Sequence, residues 1–175
     1  MNIANKLTVL RVVMIPAFLV VLYMDRSWSN YAGLAIFILA SCTDFLDGYL
    51  ARSRNLVTDF GKFMDPLADK VLVTTAMLWF VEQGVLPAWA VAIVIFREFA
   101  VSGMRLIAAE QGRVIAAGWS GKVKTASTMV CLCLLFLPVP AWVPTVCLWV
   151  IVVTTVYSGA EYFVKNKDVI SLENI

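Results

Sequence analysis

Asp44, Asp47, Asp65 and Asp69 are the residues most able to do chemistry in a chain that is 61% hydrophobic. The stretch SCTDFLDGYLARSRNLVTDFGKFMDPLADKVL holds five of the twelve acidic residues, and apolar segments flank it on both sides. On a helix turning roughly 100° per residue, Asp44, Asp47, Gly48 and Ala51 share one stripe, with Arg52 at its edge. Past Ser53–Phe60, a second stripe carries Gly61, Asp65, Ala68 and Asp69. A connection this short makes the two helices antiparallel neighbours, which lets the acidic stripes face each other. Pro66 must either begin the third helix or kink it.

Four carboxylates brought together repel unless they take up protons or cations. The chain has no histidine, so ligation is by carboxylate alone, which suits a hard ion such as Mg²⁺ or Mn²⁺. Two such ions can bridge phosphate oxygens and assist an in-line displacement. Gly48, Ala51 and Gly61 leave room for a bulky phosphorylated ligand, and Arg52 offers a fork of donors to a diphosphate. Isolated acids such as Asp25 and Asp59 read instead as helix caps or solvated loop residues.

The elements that must position these residues are strongly apolar. Charged residues make up only 15% of the chain, and the mean hydropathy is +0.85. A span of the hydrocarbon layer takes roughly 17–25 apolar residues. Six candidates meet that need: Leu7–Met24, Tyr31–Leu50, Phe63–Val81, Pro87–Ile107, Ala116–Leu137 and Ala141–Val164. The expected fold is therefore all-α, a polytopic membrane protein of six transmembrane helices with a short interfacial amino-terminal helix, forming one integral membrane domain over residues 1–175. The first span lacks a small-x-small cleavage site after it and reads as a true span, not a signal peptide.

Arg26 is the sole Lys or Arg in the loops after spans one, three and five. Lys6, Arg52, Arg54, Arg113, Lys165 and Lys167 lie on the other side. The positive-inside rule then puts both termini and the aspartates in the cytoplasm. Trp28, Tyr31, Trp89, Trp142 and Tyr162 near span ends read as an aromatic belt. Cys42, Cys131, Cys133 and Cys147 all fall inside spans without metal-type spacing, and read as small hydrophobes. No repeat or low-complexity tract breaks the pattern, and Lys165–Ile175 reads as a polar tail.

A second group of charges is basic. Arg105, Arg113, Lys122 and Lys124 gather around the connection between spans four and five, and Arg97 lies deeper, on roughly the face of Arg105. An arginine that far inside a span points to a polar cavity or an ion pair. Glu98 is its sequence neighbour, but adjacent helical residues point apart, so the two are not expected to pair. Arg105, Lys122 and Lys124, assisted by Arg97, are the candidates to bind an acceptor phosphate. Arg113 reads equally as an anchor beside anionic lipid.

Residues 44–69 read D-x2-D-G-x2-A-R-x8-G-x3-D-x3-D, which resembles the signature of the CDP-alcohol phosphotransferases, a family of integral membrane enzymes. NKLTVLRVVMIP at 5–16, FGKFMDPLADKVL at 60–72, REFAVSGMRLIAAEQG at 97–112 and GKVKT at 121–125 extend the resemblance over nearly the whole chain, toward the bacterial branch whose acceptor is sn-glycerol 3-phosphate. Ala4 departs from the pattern, since many relatives have proline there. The resemblance implies that CDP-diacylglycerol binds with its diphosphate on two Mg²⁺ ions. The acceptor hydroxyl then attacks the lipid-side phosphorus, and CMP leaves. It further implies that Asp44, Asp47 and Asp65 are metal ligands, and that Asp69 both touches a metal and takes the proton. Gly48, Arg52 and Thr58 would line the nucleotide and diphosphate site, Gly61 would give clearance, and Asn5 and Thr8 would close it. A homodimer in the bacterial cytoplasmic membrane, with no nucleic-acid partner, completes the expectation.

Other functions fit less well. Intramembrane prenyltransferases also hold diphosphates on aspartates and Mg²⁺, but place their acidic motifs far apart and lack D-G-x2-A-R. A cation transporter would set its acids near the midplane, at broken helices of repeated halves. Within the family, serine, inositol phosphate or phosphatidylglycerol are the competing acceptors, and the basic cluster favours a phosphorylated one.

Overall fold

The computed structural model describes residues 3–24, 26–53, 59–116 and 118–169, with side chains described for 8–24, 26–43, 64, 66–116 and 118–169. Within them lie six helices: α1 (Ile3–Tyr23), α2 (Ser29–Ser53), α3 (Asp59–Glu82), α4 (Ala88–Glu110), α5 (Trp119–Leu135) and α6 (Trp142–Lys165). A single 3₁₀ turn, Lys167–Val169, follows, and there is no strand among the described residues. Each helix falls on one predicted span with its ends displaced by a few residues.

The amino-terminal expectation needs correction. No separate interfacial helix precedes the first span, because α1 runs unbroken from Ile3. No glycine or proline interrupts Ile3–Ile15, and the polar residues there have a place to go: Thr8 and Arg11, three apart on one face, are fully buried. Pro16 lies inside α1 and forgoes the bond to the Val12 carbonyl.

Contacts divide the chain into two compact units. The first comprises residues 1–79 with Phe136–Pro138. Here α1 packs along α2. Phe18, Phe37 and Phe136 form its aromatic centre, with ring centroids 5.9–6.3 Å apart in tilted and edge-on arrangements. Gly33 permits the close approach of α2 to α1, since a Cβ there would lie 2.5 Å from Leu22 Cδ2. On α3, Ala68, Leu72 and Ala76 recur at four-residue spacing and form its buried face.

The second unit comprises Phe80–Leu135 and Val139–Ile175. Here α6 packs against both α5 and α4. Glycines shape two of its turns. Gly84 and Gly112 adopt φ of 70° and 71°, left-handed values that cost other residues strain. At Gly112 the chain turns so that the Arg113 amide bonds back to the Ala108 carbonyl at 2.8 Å, closing the end of α4. The supposed polar tail also folds back. Val169 is buried near α4, Gln111 Nε2 donates to its carbonyl, and Arg113 Nη1 pairs with Asp168 at 2.6 Å.

The outer surface inverts the soluble pattern. Phe96, Phe99, Leu106, Tyr157 and Val164 are among the most exposed side chains, whereas Thr8, Arg11, Lys124, Thr128, Thr155 and Ser158 are buried. Polar groups inside and large hydrophobics outside are what a lipid solvent selects. By length and apolarity α6 is the one helix among the described residues that meets the spanning criterion, while Thr8–Tyr23 and Ser29–Thr43 are shorter apolar segments. Charges within α4 (Arg97, Glu98 and Arg105) set that helix apart.

Candidate active site

In the first unit, α2 stays helical through Ser53, so Asp44 and Asp47 lie three apart on unbroken backbone and share a face. The helix carries hydroxyls just upstream that bond backward, Ser41 Oγ to the Phe37 carbonyl at 2.8 Å and Thr43 Oγ1 to the Leu39 carbonyl at 2.7 Å. This satisfies both hydroxyls without spending a neighbouring side chain on them. Asp65 and Asp69 lie four apart on α3. Pro66 falls inside α3, neither starting it nor stopping it, and the Lys62 carbonyl loses its usual amide partner.

The side chains of Asn5, Asp44, Asp47, Arg52 and Asp65, the surroundings of Gly48 and Gly61, and the whole of Thr58 lie outside the described residues. Thr8 is fully buried on α1. Asp69 is half-buried, one residue beyond buried Ala68 and three before fully buried Leu72, at the rim of the packed face of α3.

Two carboxylate pairs at helical spacing, in a chain without histidine, form a donor set that fits a hard divalent cation. Among the described side chains no group of three possible ligands converges, and three of the four aspartates are outside that set.

The second unit brings together part of the basic group. Lys124 of α5 has a side chain only 5% exposed, and its Nζ donates to Glu98 Oε1 at 2.6 Å. Arg97 Nη1 donates to the same oxygen at 3.0 Å. The expectation that Arg97 and Glu98 would not pair is therefore overturned. Their Cβ atoms do diverge on the helix, but two long side chains can bend to a common point when Lys124 draws the carboxylate there. Glycines make space for Arg97: a Cβ on Gly159 would lie 3.2 Å from its Cγ, and one on Gly121 would lie 3.4 Å from Nη2. Its Nε is buried without a hydrogen-bond partner.

Arg105 is exposed and held differently. Its Nε donates to the Tyr162 hydroxyl at 3.3 Å, and its guanidinium carbon lies 5.7 Å from the centre of that ring. Tyr162 is buried in a cluster with Val101 and Met104, so its reading as a belt residue is corrected. Lys122 is exposed. Arg113, read equally as a lipid anchor, is engaged with Asp168. Hydrogen bonding to Arg113 holds the Asp168 carboxyl below the usual carboxylate range.

Sequence reasoning misread Glu98 and Tyr162 and did not single out Arg11. Each had a signal. Glu98 and Arg11 are charges inside apolar spans, where charge is costly and therefore placed for a reason. Tyr162 gave only a weak one, since buried tyrosine looks like any aromatic near a span end.

Comparison with known proteins adds the family. The CDP-alcohol phosphatidyltransferase family profile matches residues 1–157, which covers the first unit and the second up to Tyr157. A Bacillus subtilis (strain 168) protein named CDP-diacylglycerol--glycerol-3-phosphate 3-phosphatidyltransferase is 41% identical, over 99% of this chain and 99% of its own. Proteins of the same name from Shigella flexneri serotype 5b (strain 8401) and Escherichia coli (strain K12) are 42% and 41% identical, over 92% of both chains. With a profile matching most of its length and relatives this similar end to end, the chain belongs to the CDP-alcohol phosphatidyltransferase family.

Proposed function

We propose that this protein transfers the phosphatidyl group of CDP-diacylglycerol to sn-glycerol 3-phosphate, giving phosphatidylglycerol phosphate and CMP. The observation that carries this reading is the eight-position aspartate signature, set on the continuous helices α2 and α3. The chain also shares 41% identity, end to end, with an enzyme of that name. The basic cluster of the second unit supports a phosphorylated acceptor over serine.

Asp44, Asp47, Asp65 and Asp69 are the residues that would hold two divalent cations, Mg²⁺ or alternatively Mn²⁺. When bound, these supply charge neutralisation to the diphosphate and polarise its phosphorus. Arg52 and Thr58 bind the diphosphate and nucleotide, Gly48 and Gly61 leave clearance for them, and Asn5 and Thr8 close the site. Asp69 accepts the proton of the acceptor hydroxyl. That oxygen forms a bond to the lipid-side phosphorus as the phosphorus–oxygen bond to CMP breaks, and CMP departs with the electron pair. Arg97, Arg105, Lys122 and Lys124 bind the acceptor phosphate. Such chemistry asks the protein mainly to position groups and stabilise charge.

The setting is a single integral membrane domain of six spans in the bacterial cytoplasmic membrane. Both termini and the active site are cytoplasmic, and the working form is a homodimer. The exposed apolar faces and buried polar residues support that setting. An acceptor panel with CDP-diacylglycerol tests the reaction. Glycerol 3-phosphate should give the fastest CMP release; preference for inositol phosphate or serine would overturn the acceptor assignment.

A further inference from the structure

Glu98 places two cations from two helices on one oxygen. Its Oε1 lies 3.0 Å from Arg97 Nη1 and 2.6 Å from Lys124 Nζ, with the three side chains 24%, 13% and 5% exposed respectively. Lys124 belongs to α5, whereas Arg97 and Glu98 belong to α4. Two like charges held this close in a poorly solvated interior repel strongly without an anion between them. A lysine this buried would then face the neighbouring guanidinium with nothing to offset the repulsion.

The Arg97 stem is confined by Gly159, and its head is confined near Gly121. Four residues after Lys124, the Thr128 hydroxyl is buried without a hydrogen-bond partner, as is Thr155 on α6. One turn beyond Lys124, α5 thus holds a buried hydroxyl that the salt bridges do not use. A purely cohesive role is a poor explanation, because buried ion pairs stabilise a fold no better than well-packed apolar residues of the same size.

We infer that Glu98 is a positioning residue for the acceptor: it preorganises the Lys124 ammonium and the Arg97 guanidinium as a pair that receives the acceptor's phosphate. With two positive charges and one negative, the triad keeps a net charge of +1. It remains attractive to a phosphate dianion while the shared carboxylate oxygen fixes where its two cations sit. The inference rests on the phosphate-binding role proposed above for Arg97 and Lys124.

Steady-state kinetics of Glu98→Gln, Glu98→Asp and Lys124→Ala in detergent or proteoliposomes tests it. Glu98→Gln is expected to raise KM for glycerol 3-phosphate by about tenfold or more, and to leave KM for CDP-diacylglycerol within about twofold. Inhibition by inorganic phosphate should weaken in parallel, and Glu98→Asp, which keeps the charge on a shorter stem, should recover most of the loss. A merely structural role would lower melting temperature and affect both substrates together. The inference is overturned if Glu98→Gln leaves the acceptor KM unchanged, lowers it, or raises both KM values alike while Lys124→Ala raises the acceptor KM selectively. In that case the phosphate-binding role of Lys124 survives. If Lys124→Ala has no selective effect, that role and this inference fall together. Where Glu98→Gln does not accumulate, Glu98→Asp decides: a selective rise of about threefold supports the inference and an unchanged acceptor KM contradicts it.

Discussion

The Tyr162 hydroxyl accepts the Arg105 Nε–H at 3.3 Å, which ties an exposed cation of α4 to a buried ring of α6. The ring lies against Val101 and Met104, so the hydroxyl is a fixed point and Arg105 is oriented by it. Tyr162→Phe keeps the ring and removes the acceptor. Kinetics should show KM for glycerol 3-phosphate rising about threefold with kcat nearly unchanged, the scale of one ordinary hydrogen bond. Tyr162→Ala also empties part of the cluster and should cost about 3 kcal/mol of stability or more.

Gly33 and Gly103 make a matched pair for thermal unfolding in detergent. A Cβ on Gly33 would meet Leu22 Cδ2 at 2.5 Å and Phe18 Cε2 at 3.6 Å, and Leu22 is itself buried and cannot swing clear. Gly33→Ala should destabilise by about 1–3 kcal/mol through overpacking. A Cβ on Gly103 meets nothing within 4 Å. Gly103→Ala, in the interior of α4, should be neutral or stabilising by up to about 1 kcal/mol.

Asp168 reports the docking of the tail. Its carboxyl is held below its ordinary value of 3.8 by the hydrogen bond from Arg113. A depressed folded value means that the ionised carboxylate favours the docked state. That contribution is complete above the ordinary value and is lost as pH falls below it and through the folded value. Both partners are more than half exposed, so the effect on global stability should be small. Carbon-detected titration should place the Asp168 midpoint below 3.8 in the wild type and return it upward in Arg113→Ala.

Much of the fold was legible because its signals are local. Six apolar runs became six helices, and the aspartate spacings of three and four fell on continuous helix, with the α3 register surviving Pro66. The misreadings share a cause, which is that tertiary contacts recruited residues whose local pattern pointed elsewhere. The short interfacial helix expected at the amino terminus is part of α1, which runs unbroken from Ile3 and turns Thr8 and Arg11 inward. Arg97 and Glu98 looked unpaired until Lys124, from a distant helix, drew the carboxylate between two cations. The tail looked solvated, but one valine in it found a buried place near α4. Neither partner in such contacts carries a mark of the other in its own neighbourhood.

The central claim is that the four aspartates act as one cation-dependent site for the diphosphate. Its most direct test is CMP release from CDP-diacylglycerol by purified wild type and Asp47→Asn, each with glycerol 3-phosphate, before and after chelation and with Mg²⁺ restored. The wild type should fall to background with EDTA and recover with Mg²⁺, and Asp47→Asn should lose about 100-fold or more at every Mg²⁺ concentration. Turnover that survives either the chelator or the asparagine would contradict it.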